Sequence, residues 1–404
     1  MLPPFYQRVL EKHLSQKQCL QAQLLVLMLP SFRQVKLSTL ASVFPQPITY
    51  ESRVRNLQRF LEHKKWNVKL LWFPIIKYWL RQEYRGYKPN REQRRRVKKL
   101  RNGKSDYVLL ALDRTQWKGR NLIVVSVIWN QYALPIYWEE MHKKGSSDLA
   151  RQKAVLKPVL KLMKSYPVIV IGDREFHSAK LGIWLCEKGV DFILRQKKSA
   201  CIQQFNGEYK SLKKMGFKPG DTEFFQGINC HKELGLGSFN LAVRWKRKYR
   251  GKQPSDCWYL LTSLPNLKQT LISYRKRWGI ESMFKHCKTG GYNLEQTRVN
   301  SVRLLALVLL IAFAYTLSTL EGYSLQNTPL APYSTRIHKQ QQFLAHHSDF
   351  TIGLFTQAWV NAMTLWSELA LALMLLKPHK RLYFQRGLQA LSSIRQSLER
   401  CCHP

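Results

Sequence analysis

Asp113 closes the apolar run YVLLAL and Asp173 directly follows VIVIG, so each carboxylate falls at the C-terminal tip of a segment predicted to be a strand. Such tips converge at the mouth of an α/β sheet. A carboxylate beside an apolar run is costly unless it is paired, hydrogen-bonded or bound to a cation. Two tips of this kind fit either ordinary turn aspartates or two oxygen ligands of a divalent metal. Glu281, in SYRKRWGIESMFKHCKTGG, is the third candidate. At about 100° per residue, Tyr274, Arg277, Glu281 and Lys288 fall within an arc of roughly 60° on one predicted helix. That face is either a solvated charged surface or a metal ligand flanked by donors to phosphate oxygens.

The chain that must position these residues is 404 long, with 45% hydrophobic and 23% charged residues, a composition that excludes disorder for most of it. Its 66 Lys and Arg against 25 acids leave a net charge of +41, which points to a polyanion, nucleic acid first. Eight scattered cysteines have no C-x-x-C pair and read as reduced thiols. The N-terminal MLPPFYQRVLEKHLSQ lacks the apolar stretch of a secretory signal, so an intracellular, cytoplasmic location is expected. Val302 to Leu320 approaches the length of a membrane span, but Arg303, Tyr315 and its hydroxyls favour a buried core helix and no membrane partner.

Residues 1–104 hold 23 Lys/Arg and five acids with helical periodicity, and read as a basic DNA-binding domain. Within it, QVKLSTLASVF, a turn with Pro45 and Pro47, and TYESRVRNLQRFLEHKKW form two predicted helices. Thr49 is the expected N-cap of the second, and Arg53, Arg55 and Arg59 are candidate DNA contacts. The run from Arg81 to Lys104, eleven basic residues to two acidic, suits phosphate contacts or a linker. From Asp106 onward DYVLLALDR, NLIVVSVIWN and QYALPIYWEEM predict a three-strand meander. A helix through Pro158, the strand VIVIGD, a helix ending at Gly189 and the strand VDFILRQK complete a β-β-β-α-β-α-β order. That order has the elements of a ribonuclease-H-like α/β domain. Residues 197–255 read as an inserted β subdomain, 105–196 and 256–320 as the mixed-sheet core, and 321–404 as a helical C-terminal region suited to dimerisation. One long helix is predicted from about Asn266 to Cys287. Gly279 interrupts it at a cost of about 1 kcal/mol and reads as a place of close backbone approach.

Tyr274, Arg277, Glu281 and Lys288, at spacings of three, four and seven, resemble the YREK signature of the bacterial insertion-sequence transposases of the IS-four family. LLALDRTQWKGRN and VIVIGDREFHS are similar to the family's first and second aspartate motifs, and the similarity spans about residues 105–320. The resemblance implies a ribonuclease-H-like core in which Asp113, Asp173 and Glu281 bind two Mg2+ ions, with Mn2+ able to substitute. It implies that Tyr274, Arg277 and Lys288 hold DNA backbone phosphates. Trp258, in CWYLLTS, resembles the position from which some members stack an extruded base; a core tryptophan is the alternative reading. Arg195 and Trp278 are further candidate DNA contacts. The implied activity is cut-and-paste transposition. The DNA partners are the element's terminal inverted repeats and a target duplex, met in the bacterial nucleoid by a homodimer assembled on DNA. A nuclease without strand transfer and an inactive DNA-binding relic are the alternatives. Glu175 is a spare carboxylate outside the pattern, and His177 and His286 read as surface or capping histidines.

Overall fold

The computed structural model describes residues 2–85, 107–142, 145–203, 207–230, 236–247, 256–326, 328–334, 348–365, 367–376 and 378–400. The basic run between 86 and 104 lies outside them. Contacts group residues 1–88 with 284–404 in one compact unit and 89–283 in another.

The helical unit begins with α1 (Pro4–His13), α2 (Gln16–Phe32), α3 (Leu37–Val43), α4 (Tyr50–Leu61) and α5 (Phe73–Arg85). Ser15 and Gln18 form a reciprocal capping box at the start of α2. Thr49 caps α4 as expected, accepting from Ser52 N at 3.3 Å. Arg55 and Arg59 are exposed on α4. Arg53 is not free for DNA in the same way, because its Nη1 donates to Ile48 O at 3.2 Å and Gln46 O at 3.4 Å and so closes the α3–α4 turn.

In the sheet unit, β1 (Val108–Trp117), β2 (Arg120–Trp129) and β3 (Tyr132–Glu140) form the expected meander. Then come α6 (Leu149–Leu162), β4 (Val168–Gly172), α7 (Ala179–Glu187), β5 (Asp191–Arg195), β6 (Cys201–Gln203), β7 (Tyr209–Ser211), β8 (Thr222–Cys230), β9 (Leu236–Arg244) and β10 (Trp258–Thr262). The ten strands make one mixed sheet, ordered β3-β2-β1-β4-β5-β10-β9-β8-β6-β7. β2 runs antiparallel to β1, while β4 and β5 run parallel to it, the ribonuclease-H-like arrangement. The strands from residues 197–255 continue this ladder through the β9–β10 pairing. β1, β2 and β4 are buried on both faces, which their near-continuous apolar runs require.

The predicted long helix is two helices, α8 (Leu267–Arg275) and α9 (Trp278–Cys287), joined at Lys276–Arg277. Across the junction Arg277 N donates to Tyr274 O, Gly279 N to Lys276 O and Ile280 N to Arg277 O, all spaced three apart. The chain is wound tighter than an α-helix there. A Cβ on Gly279 would sit 2.6 Å from Gln131 O in the β2–β3 turn, so the glycine marks the close backbone approach its position predicted.

The remaining elements are α10 (Ser301–Gln326), α11 (Ala331–Ser334), α12 (Asp349–Leu365), α13 (Ser367–Leu375) and α14 (Arg381–Arg400). α10 is long and apolar enough to cross a membrane, but it is apolar all round and buried among protein, as a core helix must be. It packs on α2 and α12, and Trp66 Nε1 donates to its Ala306 O at 3.1 Å. This packing explains why 284–320 groups with the N-terminal helices and the C-terminal region, where the sequence placed it with the sheet. His286 is not a surface histidine: its ring stacks on Phe350 at 4.4 Å, and burial pushes its pKa down to about 4.

Candidate active site

The parallel β1–β4 register pairs Leu112 with Gly172, so Asp113 and Asp173 are the next residues on adjacent strands. Asp113 is not at the expected strand tip: β1 continues past it to Trp117, paired with β2, and the residue is only 8% exposed. Asp173 leaves β4 and caps a short 3-10 turn, accepting from Glu175 N at 2.9 Å. Arg114 N donates to Asp113 Oδ1 at 2.7 Å. Both carboxylates are therefore oriented by the amide of a residue just beyond them.

α9 brings a third acid to this corner. Arg277, at the α8–α9 junction, donates from Nη1 to Asp113 Oδ2 at 3.0 Å and from Nη2 to Glu281 Oε1. One guanidinium thus spans two carboxylates, the fork geometry for which Arg is suited. Burial, and next the Asp173 carboxylate, push the Asp113 pKa up to about 7, against the pull of Arg277. The corner concentrates negative charge in a buried setting, and the Arg277 guanidinium offsets part of it.

Carboxylate oxygens are the hard ligands that Mg2+ and Mn2+ take, so the donor set fits such ions. Among the described residues no three His, Cys, Asp or Glu side chains close on a single point at ligand distance. Arg277 stands between Asp113 and Glu281 instead.

The transposase DDE domain family matches residues 104–317, more than half of the chain. The chain belongs to that family. No curated protein matches it. Among solved structures it is similar to a cryo-EM structure of the piggyBac transposase synaptic complex with hairpin DNA, with 12% identity and a TM-score of 0.42 over 91% of this chain and 78% of that one.

Around the acids of this DDE domain, Tyr274 is buried at the end of α8, with the Arg277 guanidinium 5.8 Å from its ring centroid. Trp258 is half-buried on β10 and meets Tyr274 edge-on at 5.1 Å, with Lys246 Nζ 5.9 Å from its ring. Arg195, at the tip of β5, is half-buried; its Nη2 donates to Cys257 O at 3.5 Å, while its Nε has no acceptor. Burial lowers the Arg195 pKa from its usual value. Trp278 is 67% exposed. Lys288 belongs to the helical unit, where it pairs with Glu295 at 3.3 Å.

Glu175, a spare acid by its sequence pattern, has partners in the structure. Its Oε2 accepts from Arg114 Nε at 2.6 Å and its Oε1 from Ser147 N and Oγ at 2.9 and 2.8 Å. The signal was present in DRTQW and DREF: the residue after the first aspartate is a cation, and the second residue after the other is an anion. His177 Nδ1 lies 2.9 Å from Arg174 O, a turn contact of the expected kind, and burial and Lys197 lower its pKa.

Proposed function

We propose that the chain is a cut-and-paste DNA transposase of the IS-four type. It would bind the terminal inverted repeats of its own element, free 3′-hydroxyl ends and join them to target DNA. The observation that carries this reading is the buried Asp113 beside Asp173, tied through Arg277 to Glu281. Asp113, Asp173 and Glu281 would hold two divalent cations, Mg2+ physiologically. When bound, such ions activate the attacking oxygen of an in-line phosphodiester displacement and neutralise charge on the leaving one.

The protein's own part is to bind and orient. Arg277 and Arg195 supply guanidinium donors beside the acids, and a DNA phosphate provides the acceptor that Arg195 Nε lacks. Lys288, in the helical unit, would act as a point charge on a DNA phosphate. Trp258 and the exposed Trp278 offer ring faces for unstacked bases. Exposed Arg55 and Arg59 on α4 and the net charge of +41 supply the broader phosphate affinity. A homodimer formed on DNA, in the bacterial nucleoid, completes the reading.

The test is a Mg2+- or Mn2+-dependent cleavage assay on the DNA flanking this reading frame, comparing the native protein with Glu281→Gln. Loss of end cleavage with retained DNA binding supports the three-acid site. Native protein that is folded and DNA-bound yet never cuts refutes it. Strand-transfer products separate transposition from simple hydrolysis.

A further inference from the structure

Glu175 collects more structure than a surface carboxylate should. Its partner Arg114 also donates from Nη1 to Asn121 Oδ1 at 3.1 Å and Gln116 Oε1 at 3.3 Å. Its other partner, Ser147, is held by Gln152 Nε2, which donates to the serine Oγ and O at 3.1 Å each. One carboxylate therefore fastens together β1 at Arg114, β2 at Asn121, the segment before α6 at Ser147 and the turn after β4.

The two ends of the Arg114–Glu175 pair are also the two residues whose amides orient the catalytic candidates. Arg114 N donates to Asp113 Oδ1, and Glu175 N to Asp173 Oδ1. A shift at either end of the pair moves an aspartate. The pair is largely buried, its side chains 21% and 12% exposed. Burying an ion pair seldom stabilises a fold more than apolar packing of the same volume, so fold stability alone does not account for a charged strut here. Asp113 and Asp173 repel each other, and something must hold them close before a cation arrives.

We infer that Glu175 is a positioning residue for the proposed metal site. Through Arg114 and Ser147 it fixes the spacing and orientation of Asp113, within β1, and Asp173, at the tip of β4. This rests on the proposed three-acid site. Partners that orient metal-binding carboxylates typically cost ten- to a hundredfold in metal affinity when removed.

The experiment is a Mn2+ titration of the full chain without DNA, followed by electron paramagnetic resonance. The variants are Asp113→Asn, Glu175→Gln, Arg114→Gln and the double Glu175→Gln/Arg114→Gln. Glu175→Gln keeps an oxygen to accept from Ser147 and is expected to weaken Mn2+ binding about ten- to a hundredfold. Its metal-free DNA affinity should stay close to native, while its melting temperature falls because Arg114 is left largely buried without its counter-charge. Because the pair acts as a unit, the double variant should bind Mn2+ within about twofold of the weaker single one. Unchanged Mn2+ affinity in Glu175→Gln, with binding lost in Asp113→Asn, overturns the inference and leaves the three-acid reading standing. Fully additive losses overturn it as well. Native affinity in Asp113→Asn defeats the three-acid reading itself, and this inference with it. Should Glu175→Gln not fold, Arg114→Lys keeps the charge and shortens the fork; weakened Mn2+ binding in it supports the inference, and unchanged binding overturns it.

Discussion

Each compact unit buries acids, and Asp113 in one and Glu321 in the other keep different company. In the sheet unit Asp113 sits among Asp173, Arg277 and Glu281. In the helical unit Glu321, on α10, is 6% exposed and accepts from Gln357 Nε2, while the Gln357 Oε1 accepts from Ser318 Oγ at 3.0 Å. Burial raises both pKa values, to about 7 for Asp113 and about 8 for Glu321, the latter opposed only weakly by its hydrogen bond from Gln357. Burial alone thus fails to distinguish a reactive carboxylate from a structural one. What distinguishes them is the local company: Asp113 faces two carboxylates and a guanidinium, whereas the first group opposing burial at Glu321 is the Gln357 amide.

The largest expected effect breaks the pair apart functionally. Asp113→Asn should lower end cleavage by at least about a thousandfold while DNA binding persists, and Glu321→Gln should leave cleavage within about twofold. Equal losses in both variants, scored on the same labelled ends, would erase the distinction.

Stability against pH comes next. The folded pKa of Glu321 lies above its unfolded value, so its contribution is fully present below pH 4.5 and is lost as pH rises to about 8. Denaturant unfolding of the native chain should show that fall, of the order of a few kcal/mol, and Glu321→Gln should flatten it. Parallel profiles would mean the carboxyl is not the titrating group.

Gly279→Ala tests whether the placement of Glu281 depends on contact with the β2–β3 turn. The added methyl meets Gln131 O at 2.6 Å, and overpacking of about 1–3 kcal/mol should outweigh the helix-propensity gain of about 1 kcal/mol. Thermal unfolding reads the sign, since a stabilised variant contradicts the contact. The smallest effect is expected at Asp256, half-exposed and paired with Arg174 at 2.5 Å and Lys198 at 3.1 Å. Those two cations hold its pKa down to about 2. Asp256→Asn should cost no more than about 1 kcal/mol at neutral pH, vanishing in high salt. A larger loss would show that charge at the rim matters as much as charge in the corner.

Much of this was legible in the sequence because short-range pattern sets it. The apolar runs before Asp113 and Asp173 marked both strands but only one tip, since β1 runs on past Asp113 to Trp117; Thr49 marked a helix start, and Gly279 announced a close approach. The rest depends on contacts far apart along the chain. Neither the α8–α9 break nor what Gly279 touches is encoded in the periodicity. The bridging of Asp113 by Arg277 spans 164 residues. The assignment of 284–320 to the helical unit follows from the packing of α10, a helix whose uniform apolarity leaves no face to indicate its neighbours.

Where α10 crosses α12, Gly322 and Gly353 bring main chain against main chain, and a methyl on either would run into the opposite backbone. Such a crossing has no side chains to repack. Over evolutionary time the rest of this helical core is free to exchange one apolar residue for another, whereas these two sites tolerate no drift. A pair of glycines spaced to match them is therefore a signature by which distant relatives sharing this crossing could be recognised after every other core position had changed.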